Sequence, residues 1–157
     1  MEQRFDYAGH ALGAKFVKRI NNAGMVVGES TLAAATRELV LLRVSQINGC
    51  GFCVDMHYKD AIHAGEDPVR LNLVSAWPEA TVFTEPERAA LALAEEGTRL
   101  ADAHQGVSDD TWTQVEKHYD AEQIAALISL IALINAYNRM NVISRTPAGG
   151  YVPGQFH

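Results

Sequence analysis

Thr36-Arg37-Glu38-Leu39-Val40-Leu41-Leu42-Arg43-Val44-Ser45-Gln46-Ile47, then Asn48-Gly49, then Cys50-Gly51-Phe52-Cys53-Val54-Asp55-Met56-His57 is the stretch that decides the fold. Its first part is rich in helix formers and apolar on almost every side, which predicts a buried helix. Asn48-Gly49 stops that helix, because both residues accept the left-handed conformation that closes a helix C-terminus. From Cys50 to about Ala64 there is no Pro and, apart from Gly51, no Gly, and Gly65 supplies the next stop. The pattern is a buried helical hairpin with Cys50 in the first turn of its second helix.

Cys50 and Cys53 are the only cysteines in the chain. On a helix, positions three or four apart share a face with Cβ atoms roughly 5–6 Å apart, so Cys50, Cys53 and His57 form one stripe. A disulfide needs Cβ atoms roughly 3.5–4.5 Å apart, which a small adjustment in a fraying first turn supplies. The pair can open and close without refolding the domain. The positive end of the helix dipole favours thiolate and the imidazole can take its proton, the requirements of dithiol redox chemistry.

Glu38 joins the group if Asn48-Gly49 is a tight connection between antiparallel helices. It lies ten residues before Asn48 while His57 lies eight after Gly49, so the carboxylate and the imidazole meet across the hairpin. There Glu38 would fix the tautomer of His57 and pass a proton. An equal alternative makes Glu38 an ordinary first-turn acid that favours the helix dipole.

The remainder reads as helices with marked punctuation. A first helix is expected over residues 9–21, followed by a turn region at residues 24–28. Asp67-Pro68 caps and opens a short helix toward Trp77, which Pro78 breaks. Thr84 with Glu87 forms a capping box for a helix to about Ala103; Ser108 caps another ending near His118; Asp120 with Gln123 opens the longest, to about Ser144. Nothing alternates at strand period and no internal repeat is present. The fold class is therefore all-α, a bundle of about six to seven helices in a single domain over residues 1–157.

In the last helix, residues 124–134 are apolar all round. Eleven residues fall short of the roughly twenty that a membrane span needs, so the helix is expected to be buried on all sides, in the core and against a neighbouring subunit. Asn135, Asn138 and Arg139 follow on successive turns. They are expected to hydrogen-bond across helices or to the tail, with a place near the dithiol or a subunit contact as the functional alternative. His63 is six residues past His57 and faces elsewhere, while His10, His104, His118 and His157 belong to no spacing that makes a site.

Thirteen basic and nineteen acidic residues give a formal charge of −6 with no basic run, which disfavours nucleic acid and anionic membrane as partners. The opening Met1-Glu2-Gln3-Arg4-Phe5-Asp6 is polar rather than a basic stub before an apolar stretch, so no secretory leader is expected there. Two cysteines in one motif suit a reducing cytoplasm better than a secreted disulfide scaffold.

Glu38, Cys50-x-x-Cys53 and His57, set in Arg37-Glu38-Leu39 and Leu42-Arg43-Val44-Ser45-Gln46-Ile47-Asn48-Gly49-Cys50, resemble the core of the alkylhydroperoxidase D-like family within the carboxymuconolactone decarboxylase superfamily. Trp77-Pro78-Glu79-Ala80, residues 83–92 and residues 134–139 resemble later segments of single-domain members, so the likeness covers about residues 30–147. It implies an all-helical fold, peroxidase activity without haem, flavin or other cofactor, and a homo-oligomer, trimer or hexamer. It also implies that Cys53 attacks peroxide, that Cys50 resolves, and that His57 and Glu38 relay protons. One feature departs from the best-known branch, which has a histidine between the cysteines where this chain has Gly51 and Phe52. The sulfenic acid formed on Cys53 would condense with Cys50, and an external dithiol, a thioredoxin-like or lipoylated protein, would reduce the disulfide.

Other readings use the same residues. Cys50, Cys53, His57 and Glu38 have the ligand types of a zinc site, although the second ligand pair such sites use is missing from the sequence. A lactone decarboxylase, the other activity of the superfamily, has no use for a redox pair. A non-peroxidatic disulfide reductase or a redox sensor would need the same two thiols.

Overall fold

A computed structural model describes residues 2–103 and 105–155. Among these residues seven helices run in the order α1 (Ala11–Gly28), α2 (Ala34–Ile47), α3 (Gly51–His63), α4 (Pro68–Leu73), α5 (Glu85–Thr98), α6 (Asp109–His118) and α7 (Ala121–Ser144). Single 3-10 turns follow α4 at Val74–Ala76 and α5 at Leu100–Asp102, and no strand occurs among the described residues.

α2 is the central element, packed against α3, α5 and α7. Val40 and Val44 join a cluster that holds both cysteines together with Leu93, Leu127, Leu130 and Ile134. Leu39 and Leu42 face a second cluster with Leu71, Val74, Phe83 and Leu91. An apolar pattern that runs all round α2 therefore reflects burial on two faces, and these four side chains are each at most 1% exposed. Arg43, in the same helix, is buried against Glu95 at 2.7 Å, and Trp77 Nε1 donates to that carboxylate at 3.1 Å. The buried guanidinium is thus paired and hydrogen-bonded, the condition under which burial of charge is tolerated.

Local signals placed several boundaries correctly. Asp67 caps α4, Ser108 caps α6, and capping boxes begin α5 at Thr84 and Glu87 and α7 at Asp120 and Gln123. Three expectations need correction. α1 continues to Gly28 in place of turning at residues 24–28, because Gly24 is a close-approach residue: a Cβ there would stand 3.3 Å from Leu133 Cδ2 on α7. α5 ends at Thr98, short of Ala103, and the chain turns back so that Ser108 and Thr111 reach Glu96, with Ser108 N at 2.7 Å and Thr111 Oγ1 at 2.7 Å.

The third correction concerns α7. Its inner face, with Ala126, Leu127, Leu130, Ile131, Ile134 and Asn138, is buried, and the helix packs on α1, α2, α3 and α5. Ile128, Val142 and Ile143 are 50%, 45% and 71% exposed, so the helix is not buried on all sides within one chain. Over its full 24 residues α7 is long and apolar enough by composition to cross a membrane. Its packing on four other helices makes it a core helix of the bundle.

Candidate active site

The site is built on the α2–α3 hairpin. Gly49 takes a φ of 66°, the left-handed conformation that reverses the chain. The preceding Asn48 is tied to α7: its Nδ2 donates to Asn135 Oδ1 at 3.0 Å and to Asn138 Oδ1 at 2.9 Å. Asn138, fully buried, donates in turn to Ser45 Oγ at 3.1 Å, and Asn135 donates to Thr98 Oγ1 at 3.2 Å. Arg139 donates to the carbonyl and side chain of Asn135. Asn135 and Asn138 thus do the cross-helix bonding expected of the stripe and fix the turn on which the cysteines sit, whereas Arg139 bonds within α7 to Asn135.

Cys50 is the N-cap of α3, one residue before the first turn, and its sulfur accepts the amide of Cys53 at 3.4 Å. The two cysteines are joined in a disulfide with Cα atoms 5.4 Å apart. They are 0% and 1% exposed, so any reactant must reach them through a movement of their surroundings.

His57 lies one turn beyond Cys53 on α3 and is 8% exposed. Its Nδ1 is 3.2 Å from Glu38 Oε2 across the hairpin. An ionised carboxylate can only accept, so Nδ1–H is its donor, and in the neutral imidazole Nε2 then keeps its lone pair. Nε2 is buried and has no hydrogen-bond partner. Glu38 follows the first turn of α2, which contains no acidic residue, so its reading as a first-turn acid is set aside. Its side chain is 30% exposed and lines an open depression of about 490 Å³ with Ala34, Ala35, Ala61 and Ala64. The carboxylate therefore connects a buried imidazole to water.

Two parts of the site escaped the sequence. Asn141 Nδ2 donates to Cys53 Sγ at 3.5 Å. Asn141 lies three residues past Asn138 and six past Asn135, and no spacing within α7 marks it as the side chain that meets Cys53. The other part is the tail. Arg145, at φ 56°, ends α7, and residues 148–151 fold back onto α3. Gly149 N and Tyr151 N donate to Asp55 Oδ2 at 2.9 and 3.4 Å, Lys59 Nζ donates to Tyr151 O at 2.9 Å, and Tyr151 Oη donates to Asp60 Oδ1 at 2.9 Å. Burial alone would raise the Asp55 pKa, but Lys59 and the two amides outweigh it and hold the carboxyl below its ordinary value. Ala148 closes over Gly51: a Cβ at residue 51 would stand 3.3 Å from Ala148 Cβ. These partners lie more than ninety residues apart, and a loop rich in Pro and Gly gives no local sign of them.

The remaining histidines divide. His63 lines the same depression as Glu38, a face that His57 does not line. His10 caps α1 by accepting Leu12 N at 3.3 Å, His118 ends α6, and His104 and His157 lie outside the described residues. Among the described residues no three His, Cys, Asp or Glu side chains meet in a group able to hold a metal ion.

Comparison with known proteins follows the same lines. Residues 14–96 match the model of the carboxymuconolactone decarboxylase family. The uncharacterized protein YdfG of Bacillus subtilis (strain 168) is 36% identical over 142 residues, covering 90% of this chain and 94% of that protein. A crystal structure of an Agrobacterium tumefaciens protein of unknown function, for which a role as antioxidant defence protein AhpD has been suggested, superposes with a TM-score of 0.88 at 34% identity, covering 96% of this chain and all of that one. An uncharacterized peroxidase-related protein from Silicibacter sp. TM1040 shares the fold, with a TM-score of 0.76 at 21% identity over 96% of this chain and 78% of its own.

Proposed function

We propose that this chain, which belongs to the carboxymuconolactone decarboxylase family and is alkylhydroperoxidase D-like within it, is a thiol-dependent peroxidase. The observation that carries the reading is the Cys50–Cys53 pair at the head of α3, one turn from an imidazole whose Nδ1 is held by Glu38 and whose Nε2 is unpartnered.

In the reduced enzyme His57 Nε2 takes the proton of Cys53. The thiolate attacks one oxygen of the hydroperoxide, the O–O bond breaks, and the alcohol leaves with a proton returned by the His57–Glu38 relay. Cys53 is left as a sulfenic acid. The Cys50 thiol displaces water from it to close the disulfide. An external dithiol, borne by a thioredoxin-like or lipoylated protein, then opens the disulfide by exchange. Each cycle consumes one hydroperoxide and one dithiol and yields one alcohol, one water and one oxidised donor.

The assignment of attack to Cys53 follows the family pattern at residues 50, 53 and 57. Residence in a reducing cytoplasm and assembly into a trimer or hexamer belong to the same proposal, with Ile128, Val142 and Ile143 on α7 among the exposed apolar side chains a second subunit could cover. Peroxide consumption with a dithiol donor tests the function: Cys53→Ser abolishes it, and Cys50→Ser stops after one oxidation. Undiminished turnover in Cys53→Ser overturns the attacking role, and a parent enzyme that oxidises once without turning over overturns the peroxidase.

A further inference from the structure

The relay approaches the dithiol along α3, and a different helix meets Cys53 on another side. α7 packs against α3, and Asn141 on α7 directs a donor at the sulfur, Nδ2 to Sγ 3.5 Å. The backbone behind this side chain is fixed. One turn before it, Asn138 is locked to Asn48 and Ser45, and the Asn141 carbonyl accepts Thr146 N at 2.9 Å where the helix ends.

We propose that Asn141 is a further catalytic residue, whose side-chain amide stabilises negative charge on Cys53 Sγ when the disulfide is open. A disulfide sulfur is a weak acceptor and a thiolate a strong one, so the contact is worth more in the reduced enzyme than in the oxidised state. The amide discriminates between the cysteines: Cys50 Sγ accepts the backbone N–H of Cys53, whereas Cys53 Sγ accepts a side chain that mutation can remove. Opening the disulfide takes two electrons and two protons from the external dithiol. Asn141 then favours Cys53 as the sulfur that gives its proton up again. It also makes the pair more oxidising, because stabilising the reduced form raises the potential of a dithiol couple. The titratable group in the Cys53 stripe is His57, backed by Glu38 on α2; on α7, Asn135, Asn138 and Asn141 are neutral, and the charged Arg139 donates to Asn135.

This inference rests on Cys53 working as a thiolate, as the peroxidase reading requires. The test uses full-length protein with Cys50→Ser, so that one thiol remains, and follows thiolate absorbance at 240 nm and iodoacetamide alkylation against pH. Asn141→Ala and Asn141→Leu are expected to slow alkylation at pH 7 by about tenfold, one charge-assisted hydrogen bond, and to move the transition to higher pH. Alanine is the best helix former, so Asn141→Ala decides the matter should the leucine variant fail to fold. Profiles superimposable on the Cys50→Ser parent overturn the role of Asn141. Peroxide turnover, measured separately on enzyme with both thiols, tells the two failures apart. A shifted thiolate without turnover removes the peroxidase and keeps Asn141, whereas turnover with an unshifted thiolate removes Asn141 alone.

Discussion

His57 Nδ1 and Glu38 Oε2 are 3.2 Å apart, with the imidazole buried and the carboxylate 30% exposed at the edge of a depression. The pair is a graded path, dry at the sulfur end and wet at the other. His57→Asn removes the base and is expected to lower peroxide kcat/KM by about 10²–10⁴-fold. Glu38→Gln keeps the shape and an oxygen that can accept from Nδ1, but loses the charge and the proton-relaying carboxylate, at a cost of about tenfold. The double variant should be no slower than His57→Asn, since Glu38 acts through the imidazole. Additive losses in a double-variant kinetic cycle would show Glu38 acting independently.

Asp55 is the anchor of the tail, accepting two amides from residues 149 and 151 while paired to Lys59 at 2.8 Å. Asp55→Ala should release those residues, speeding exchange of the Gly149 and Tyr151 amides about tenfold or more while leaving the amides of α2 unchanged. With Ala148 lifted from Gly51, alkylation of the reduced cysteines should rise as well. Hydrogen exchange read by mass spectrometry, beside thiol labelling, checks both. Faster exchange without faster labelling would show that the tail does not cover the dithiol.

The parts of this structure legible in the sequence are those whose physics is local. The two capping boxes, the left-handed turn at Gly49 and the i, i+3, i+7 stripe of Cys50, Cys53 and His57 depend on neighbours within a few residues, and each lies where its residues point. The meeting of Glu38 with His57 was also within reach, because one tight turn fixes the register of an antiparallel pair. Gly24 misled because its role is tertiary: the residue type that ends helices also admits Leu133 at close range. The tail on α3 and the contact of Asn141 with Cys53 depend on how α7 crosses α3, which no spacing within either helix encodes.

Asn138 tests how strongly α7 fixes the turn before the cysteines. It is fully buried, accepts from Asn48 at 2.9 Å and donates to Ser45 at 3.1 Å. Asn138→Ala opens a cavity and removes both bonds, and should destabilise the fold by about 2–3 kcal/mol. Asn138→Leu fills the space but leaves one Asn48 amide hydrogen and the acceptor side of Ser45 Oγ unpaired, while Asn48 keeps Asn135 and Ser45 keeps the Leu41 carbonyl, so it should not restore full stability. Urea unfolding with an unchanged slope measures the difference. A leucine variant as stable as the parent would mean that the network adds nothing beyond packing.

Arg70 and Glu87 give the fold a defined response to acid. Burial alone would raise the pKa of Glu87, but the Thr84 amide and the Arg70 guanidinium, 2.5 Å away, outweigh it and leave the carboxyl below its ordinary value. Glu95, partly buried against Arg43, Trp77 and Arg99, is lowered by the same balance. A carboxylate whose folded pKa is depressed contributes stability that is complete above its unfolded pKa and is lost as pH falls through the folded value. The denaturation midpoint should therefore be flat near neutrality and fall below about pH 4.5. Arg70→Met strands the carboxylate and should cost about 2 kcal/mol or more at pH 7, and the gap to the parent should narrow as Glu87 protonates. Arg70 also lies over the Phe83 ring at 5.3 Å and donates to the Val82 carbonyl, contacts that do not titrate. A gap that stays constant from pH 7 to about pH 3 would assign the effect of Arg70 to those contacts and not to its pairing with Glu87.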